Sequence, residues 1–313
     1  MPAKAKKFIM ISAMYENGGN TTQRLLDGHA GLMVYPFESQ LGSKYVNDHL
    51  SGLFPLKYRW PIFPNFFSAE AIYRSIIDEE CKIRAITPSI SKFKDVDFNF
   101  SDQDRLAFFV KELKGTPLTR AKIIRAFFKA TFLAWKNFKH SGREKYYVGY
   151  SPIIAVDGRE IVADFDGQAY VIHVVRNPFS AYADTQKRPV PLSINHYMTA
   201  WAVCQHYAGI YQKKYPDNFF IVKYEDIIVS PQKALEPIFS KLGLALTDSL
   251  NYPSWNGQRL KQVYPWGTIK IPTERINIAT ARELNGPEIE EINLRSGHWL
   301  EYFGYDKIYQ LLK

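Results

Sequence analysis

The chain has 313 residues, 46% hydrophobic and 23% charged, which supports a packed α/β core of one large or two smaller domains and excludes extended disorder. Its formal net charge of +9 favours an anionic ligand or an acidic surface. The basic residues are scattered and no nucleic-acid motif appears, so a nucleic-acid partner is not expected. Two cysteines, Cys81 and Cys204, are too few for a disulfide framework and suit a reducing compartment. No apolar run has the length of a membrane span or the pattern of a signal peptide, which predicts a soluble, cytoplasmic protein without a transmembrane segment.

The apolar run from Lys7 to Met14 reads as a buried strand. Glu16-Asn17-Gly18-Gly19-Asn20 then has the composition of a tight turn, and Thr21 to His29 reads as a helix starting near a Thr or Asn cap. Strand, glycine loop and helix together present backbone N–H groups and a positive helix end to a phosphate. The same residues also suit an ordinary turn. No Gly-Lys-Ser/Thr follows, which excludes an ordinary nucleoside triphosphatase.

Leu32 to Tyr35 is a short second strand leading into Pro36-Phe37-Glu38-Ser39. Gly42 to Phe67, rich in aromatics, Pro and Gly, has no period and reads as an irregular excursion of the kind used for lids and substrate walls. Helices are predicted over Ala69 to Ile86, Asp102 to Lys114 and Thr119 to Phe138, a helical insertion at about 69–138. In the third, Ala126-Phe127-Phe128 and Phe132-Leu133-Ala134-Trp135 make a core-facing stripe rather than a membrane-surface face.

Tyr146 to Gly149 is a further strand, and Gln168 to Val175 is the strongest strand in the chain, ended by Arg176-Asn177-Pro178. Helices follow from Phe179 and over Pro191 to Lys214, then a strand over Asn218 to Tyr224. A helix from Gln232 to Leu242 tolerates Pro237 and stops at Gly243. Asn251 to Arg282 is irregular, basic and aromatic, and reads as a covering loop, with the last helices near Pro287 to Ile292 and Ser296 to Phe303.

This alternation predicts a single α/β domain over residues 1–313: a P-loop-like parallel sheet flanked by helices, with irregular and helical insertions. Ligands of such sheets bind at the carboxyl ends of strands. There stand the Glu16–Thr22 loop, Glu38, Arg176 and Lys223-Tyr224-Glu225-Asp226. His196 is a candidate base because imidazole titrates near neutral pH. His29 and His173 read as structural, and the His and Cys spacings predict no metal site.

Four pieces resemble, in order, the sulfotransferases that use 3′-phosphoadenosine 5′-phosphosulfate. They are the glycine loop and helix ending Leu25-Leu26-Asp27-Gly28-His29; Val174-Val175-Arg176-Asn177-Pro178-Phe179-Ser180; Val222-Lys223-Tyr224-Glu225-Asp226 with Pro231 and Ile238 to Leu244; and Glu288-Ile289-Glu290 through Leu300 to Tyr305. The likeness is nearest to the tyrosylprotein and carbohydrate branches. Residues 42–143 carry none of it.

The resemblance implies that Asn17, Gly18, Gly19, Asn20, Thr21 and Thr22 hold the 5′ end of the donor, and that Arg176 meets the 3′-phosphate, helped by Arg188. It implies that Tyr224 packs near the nucleotide. Lys270 would be the late lysine of a cofactor-covering loop at about 251–282 and the catalytic cation. Glu38 would be the base, in rivalry with His196. The product would be 3′-phosphoadenosine 5′-phosphate, and the acceptor a hydroxyl of a carbohydrate, phenol or other small molecule.

The departures are specific. The family's loop cation falls on Glu16 or Gly18, and its mid-chain lysine on Gly149 or Tyr150. Its serine after the Arg-Asn-Pro turn falls on Asp184, a carboxylate that would repel phosphate, leaving Ser180 or Thr185 to take that role. These losses define the alternative: a catalytically altered nucleotide-binding protein on the same scaffold.

Overall fold

The computed structural model describes residues 5–91, 93–260 and 273–313. Its centre is a five-stranded, wholly parallel sheet in the order β2-β3-β1-β4-β5. The strands are β1 (Lys7–Ala13), β2 (Leu32–Val34), β3 (Tyr146–Ser151), β4 (Ala169–Val175) and β5 (Phe219–Lys223). β1 and β4 are buried almost along their whole length, so they read as continuous apolar runs rather than alternating ones.

The strand period of two divides the core. On one face Phe8, Met10, Tyr147 and Val171 join the helical insertion; on the other Ile9, Ile11, Val148, Ile172 and Val174 pack with Leu25, Leu26, Ile238 and Phe239. The helices up to Leu242 are α1 (Gly19–Asp27), α2 (Ala69–Ser75), α3 (Glu79–Ile86), α4 (Asp102–Leu113), α5 (Arg120–Ala134), α6 (Gly158–Asp164), α7 (Pro178–Thr185), α8 (Ile194–Lys214), α9 (Tyr224–Val229) and α10 (Pro231–Leu242), and all but α7 contribute to these two clusters. α7, α8 and the later helices α11 (Glu274–Ala281), α12 (Gly286–Ser296), α13 (Trp299–Phe303) and α14 (Asp306–Leu312) share a third cluster around Phe179, Trp201, Ile292 and Phe303.

Several predicted elements change under tertiary contacts. The single helix expected over 69–86 breaks at Asp78, which adopts φ +35°. There its buried carboxylate accepts from Arg105 Nη1 (2.6 Å) and Tyr35 Oη (2.8 Å). A buried ion pair to α4 outweighs one more helical turn. α5 stops at Ala134 because Trp135 turns to bridge with Phe100 and pack on Phe98 and Trp255. Its apolar stripe is core, as the spacing implied, and Thr119 caps it through Lys122 N–H. Gly243 ends α10 at φ +63°. The stretch expected to be irregular from Asn251 to Arg282 contains a short hairpin, β6 (Ser254–Trp255) with β7 (Gln258–Arg259), and α11. Among the described residues no helix is long and apolar enough to cross a membrane.

Candidate functional site

The carboxyl ends of β1, β4 and β5 converge, each followed by a helix. After β1 the chain turns through Glu16 at φ +61° and Gly18 at φ +90°. A Cβ on Gly18 would lie 2.1 Å from the Tyr224 ring, and one on Gly19 2.1 Å from the Tyr150 ring. The two glycines are therefore required by two aromatic walls. Asn17 is a brace: its Nδ2 donates to Tyr15 O (2.9 Å) and Tyr197 Oη (3.0 Å), while its Oδ1 accepts the Arg176 backbone N–H (2.9 Å).

α1 starts on Gly18, which has no side chain to cap it, and no acid stands in the first turn. This corrects the expected Thr or Asn cap. Thr22 donates both its N–H and its Oγ1 to Gly18 O, each at 3.0 Å. Among the described residues the N–H groups of Gly19, Asn20 and Thr21 meet no acceptor, the ordinary fate of a first helical turn without a cap. Asn20 and Thr21 are half-buried at this mouth.

The end of β4 is built differently. Arg176 is buried, with its guanidinium 5.1 Å over the Tyr224 ring. Its Nε donates to Asn277 Oδ1 (2.7 Å), and its Nη1 to Glu16 O and Asp184 Oδ2 (both 2.8 Å). Its Nη2 is buried with no hydrogen-bond partner among the described residues. Asn177 caps α7 by accepting Ser180 N–H (2.8 Å), and donates through N and Nδ2 to Glu225 Oε1 (3.1 and 2.9 Å). Ser180 Oγ donates to Asn277 O, and Thr185 Oγ1 to Tyr182 O (2.7 Å). Both hydroxyls expected to stand in for the family's serine are thus engaged with backbone carbonyls. Asn277 also donates to Glu225 Oε1 (3.0 Å), so α11 lies directly on the Arg176 site. An open cavity of about 710 Å³ adjoins it, lined by Val222, Lys223, Glu225, Asp226, Ser230 and Lys233 among others.

Glu38 follows β2, half-buried, and accepts from Tyr58 Oη (3.0 Å). Its charge acts on Tyr15, Glu16, Tyr58 and Tyr150, so the carboxylate lies near the glycine loop. Burial pushes the Glu16 carboxyl above the usual carboxylate range, against the pull of Arg188. Arg188 sits 4.9 Å over the Tyr15 ring. His196 lies in the first turn of α8, its backbone N–H donating to Ser193 Oγ (3.3 Å), and its ring has no hydrogen-bond partner among the described residues. Lys270 lies outside the described residues.

The structure thus gathers Glu38, Arg176, Arg188, Tyr224 and the Glu16–Thr22 loop into one place. Of the expected structural histidines, His29 bonds Ala245 O (2.9 Å) and Gly31 N–H (3.0 Å), and buried His173 bonds Gln205 Oε1 (3.0 Å) and Ser12 Oγ (3.3 Å). Two neighbours of these residues were not singled out from the sequence: Asn277, and Tyr58 except as one end of the aromatic segment Tyr58 to Phe67, which could stack on a sugar or a ring. Tyr58 lay in an aromatic stretch with many equivalent rings, and Asn277 carried no signal. Among the described residues no group of His, Cys, Asp and Glu could hold a metal ion.

Residues 103–248 match the family model described as the sulfotransferase family. Over this span, a little under half of the chain, the sequence resembles the sulfotransferase family. The matched span holds Arg176, Ser180, Asp184, Arg188 and Tyr224, whereas the glycine loop and Glu38 precede it. The sulfotransferase domain from the Synechococcus PCC 7002 olefin synthase is 18% identical over 94% of this chain and 96% of that one, with a TM-score of 0.52. The sulfotransferase domain from the curacin biosynthetic pathway is 14% identical over 95% and 98%, with a TM-score of 0.51. At these identities the likeness shows a shared sulfotransferase fold. No match was found among curated proteins. The family-model match over residues 103–248 supports sulfuryl transfer as the general activity.

Proposed function

We propose that this protein is a sulfotransferase that moves a sulfuryl group from 3′-phosphoadenosine 5′-phosphosulfate to the hydroxyl of a carbohydrate, phenol or other small molecule, releasing 3′-phosphoadenosine 5′-phosphate. The observation that carries the reading is the open start of α1: three first-turn N–H groups without acceptors among the described residues, beside a buried Arg176 nitrogen that also lacks one there. A helix end of this kind is an anion site. The fit is uneven, since the 5′ end has free donors while the 3′ end has few.

In this reading the amides of Gly19, Asn20 and Thr21 receive the phosphosulfate end, and Tyr224 forms a wall beside it. Arg176 and Ser180 lie toward the 3′ end. Glu38, oriented by Tyr58, takes the acceptor's proton. The acceptor oxygen bonds to sulfur as the sulfur–oxygen bond to phosphate breaks, with its electron pair staying on the phosphate. Arg188 stands near that charge, and Lys270 is the proposed further cation. The site belongs to one domain of residues 1–313, with an insertion at about 69–138 and a covering loop at about 251–282, in a cytoplasmic protein.

A second reading, nucleotide binding with altered catalysis, is favoured by Glu16, an acid held above its usual range where the family carries a cation. The test pairs calorimetry of 3′-phosphoadenosine 5′-phosphate with single-turnover transfer from labelled donor to a panel of phenols, sugars and lipid alcohols. Glu38→Gln is expected to slow transfer by about 10²–10⁴-fold with donor affinity unchanged, and His196→Gln to do little. The reverse pattern assigns the base to His196. Binding without transfer to any acceptor supports the second reading, and absence of binding overturns both.

A further inference from the structure

We propose that Asp184 sets the nucleotide specificity of this site, suppressing the preference for a 3′-phosphate so that nucleotides with a free 3′-hydroxyl are accepted comparably. The inference rests on nucleotide binding between α1 and α7. A guanidinium has five N–H donors arranged as a fork, and side-on pairing with phosphate uses two neighbouring nitrogens. In Arg176 the Nε hydrogen goes to Asn277, and both Nη1 hydrogens go to Glu16 O and Asp184. Among the described residues the hydrogens without a partner are on Nη2 alone, and each neighbouring nitrogen is committed. No side-on pair is left for a phosphate unless a protein partner lets go.

Two hydroxyls at this end are committed as well: Ser180 Oγ to Asn277 O and Thr185 Oγ1 to Tyr182 O. Charge points the same way. Asp184, 1% exposed, lies against Arg176 and is held from its other side by Lys187 Nζ (3.1 Å). Glu225 faces the same cluster through Asn177 and Asn277. A 3′-phosphate would add negative charge to carboxylates that already occupy Arg176. A 3′-hydroxyl is neutral; it can accept from Nη2 and donate to a carboxylate, so the groups already present suit it. Juxtaposed like charges are a strong means of rejecting one ligand in favour of another.

The experiment is calorimetric titration of the full chain with 3′-phosphoadenosine 5′-phosphate and, separately, adenosine 5′-phosphate. The wild type is expected to bind the two within about tenfold of each other, and Asp184→Asn, which keeps the shape and the acceptor for Arg176, to shift the ratio toward the 3′-phosphate by about tenfold or more. Asp184→Ser, which removes the charge and supplies a hydroxyl, is expected to shift it the same way. A ratio unchanged in both variants while both ligands bind overturns the role of Asp184 and leaves the donor reading standing. A wild-type preference above about 100-fold for the 3′-phosphate overturns it without any variant. Binding of neither ligand to any form removes the donor reading and this inference with it.

Discussion

Helices α1 and α7 begin at the ends of adjacent strands, β1 and β4, and their first turns are opposites. α1 starts on a glycine with no cap and leaves its amides open; α7 starts on Asn177, which caps Ser180, with Pro178 removing one N–H altogether. Arg176, next to that closed start, has already spent most of its hydrogens on Asp184, Asn277 and the loop carbonyl of Glu16. A helix start is an anion site only to the extent that the protein leaves it unserved. One end of this site therefore waits for a ligand, and the other is largely completed by the chain itself.

The sharpest way to break the comparison is stability without nucleotide. Arg176→Ala leaves buried Asp184 with only the exposed Lys187 as counter-charge and is expected to cost about 3–5 kcal/mol in urea unfolding, whereas Thr21→Ala at the open mouth is expected to cost under about 1 kcal/mol. Equal losses would mean that the two ends are built alike.

Beneath both ends, Ser12 of β1 and His173 of β4 are paired in register and hydrogen-bonded. Burial pulls the His173 ring down to about 4 from 6.5. The unfolded chain therefore binds more protons between those values. The stability contributed by neutral His173 is complete above pH 6.5 and declines by about 3 kcal/mol as the pH falls to 4. Unfolding curves at stepped pH should show this decline, and His173→Asn should flatten it.

Gly18→Ala tests whether aromatic packing fixes the loop. It is expected to cost about 1–3 kcal/mol, from a left-handed alanine pressed on Tyr224, and less than additively in a Tyr224→Ala background. Asn177→Ala removes the cap of α7 and should cost about 0.5–2 kcal/mol, an effect with no counterpart at α1, which has no cap to lose.

The open end was the legible one. A strand, two glycines and a helix are contiguous in sequence, so residues 7–29 disclosed the loop, although the expected Thr or Asn cap proved to be a bare glycine. Arg176 and Tyr224 were legible because each ends an apolar run. The closed end depends on residues far apart in the chain. Asp184 was recognisable as a carboxylate out of place, but its pairing with Arg176 and the filling of that corner by Asn277 required α11, which lay in a stretch with no helical period. The break at Asp78 was hidden for the same reason, since its partner Arg105 lies on another helix.

The sheet order carries a consequence for synthesis. β1 and β2 emerge first but do not pair with each other: both pair with β3, which begins at Tyr146, and β1 pairs on its other side with β4, which begins at Ala169. During translation the apolar strand Phe8–Ala13 has no sheet partner until nearly half the chain has been made. Such a non-local closure is slow and leaves sticky intermediates. The nascent chain should therefore depend on holdase protection through the making of the helical insertion, and recombinant yield should respond to chaperone supply more than to changes at the site itself.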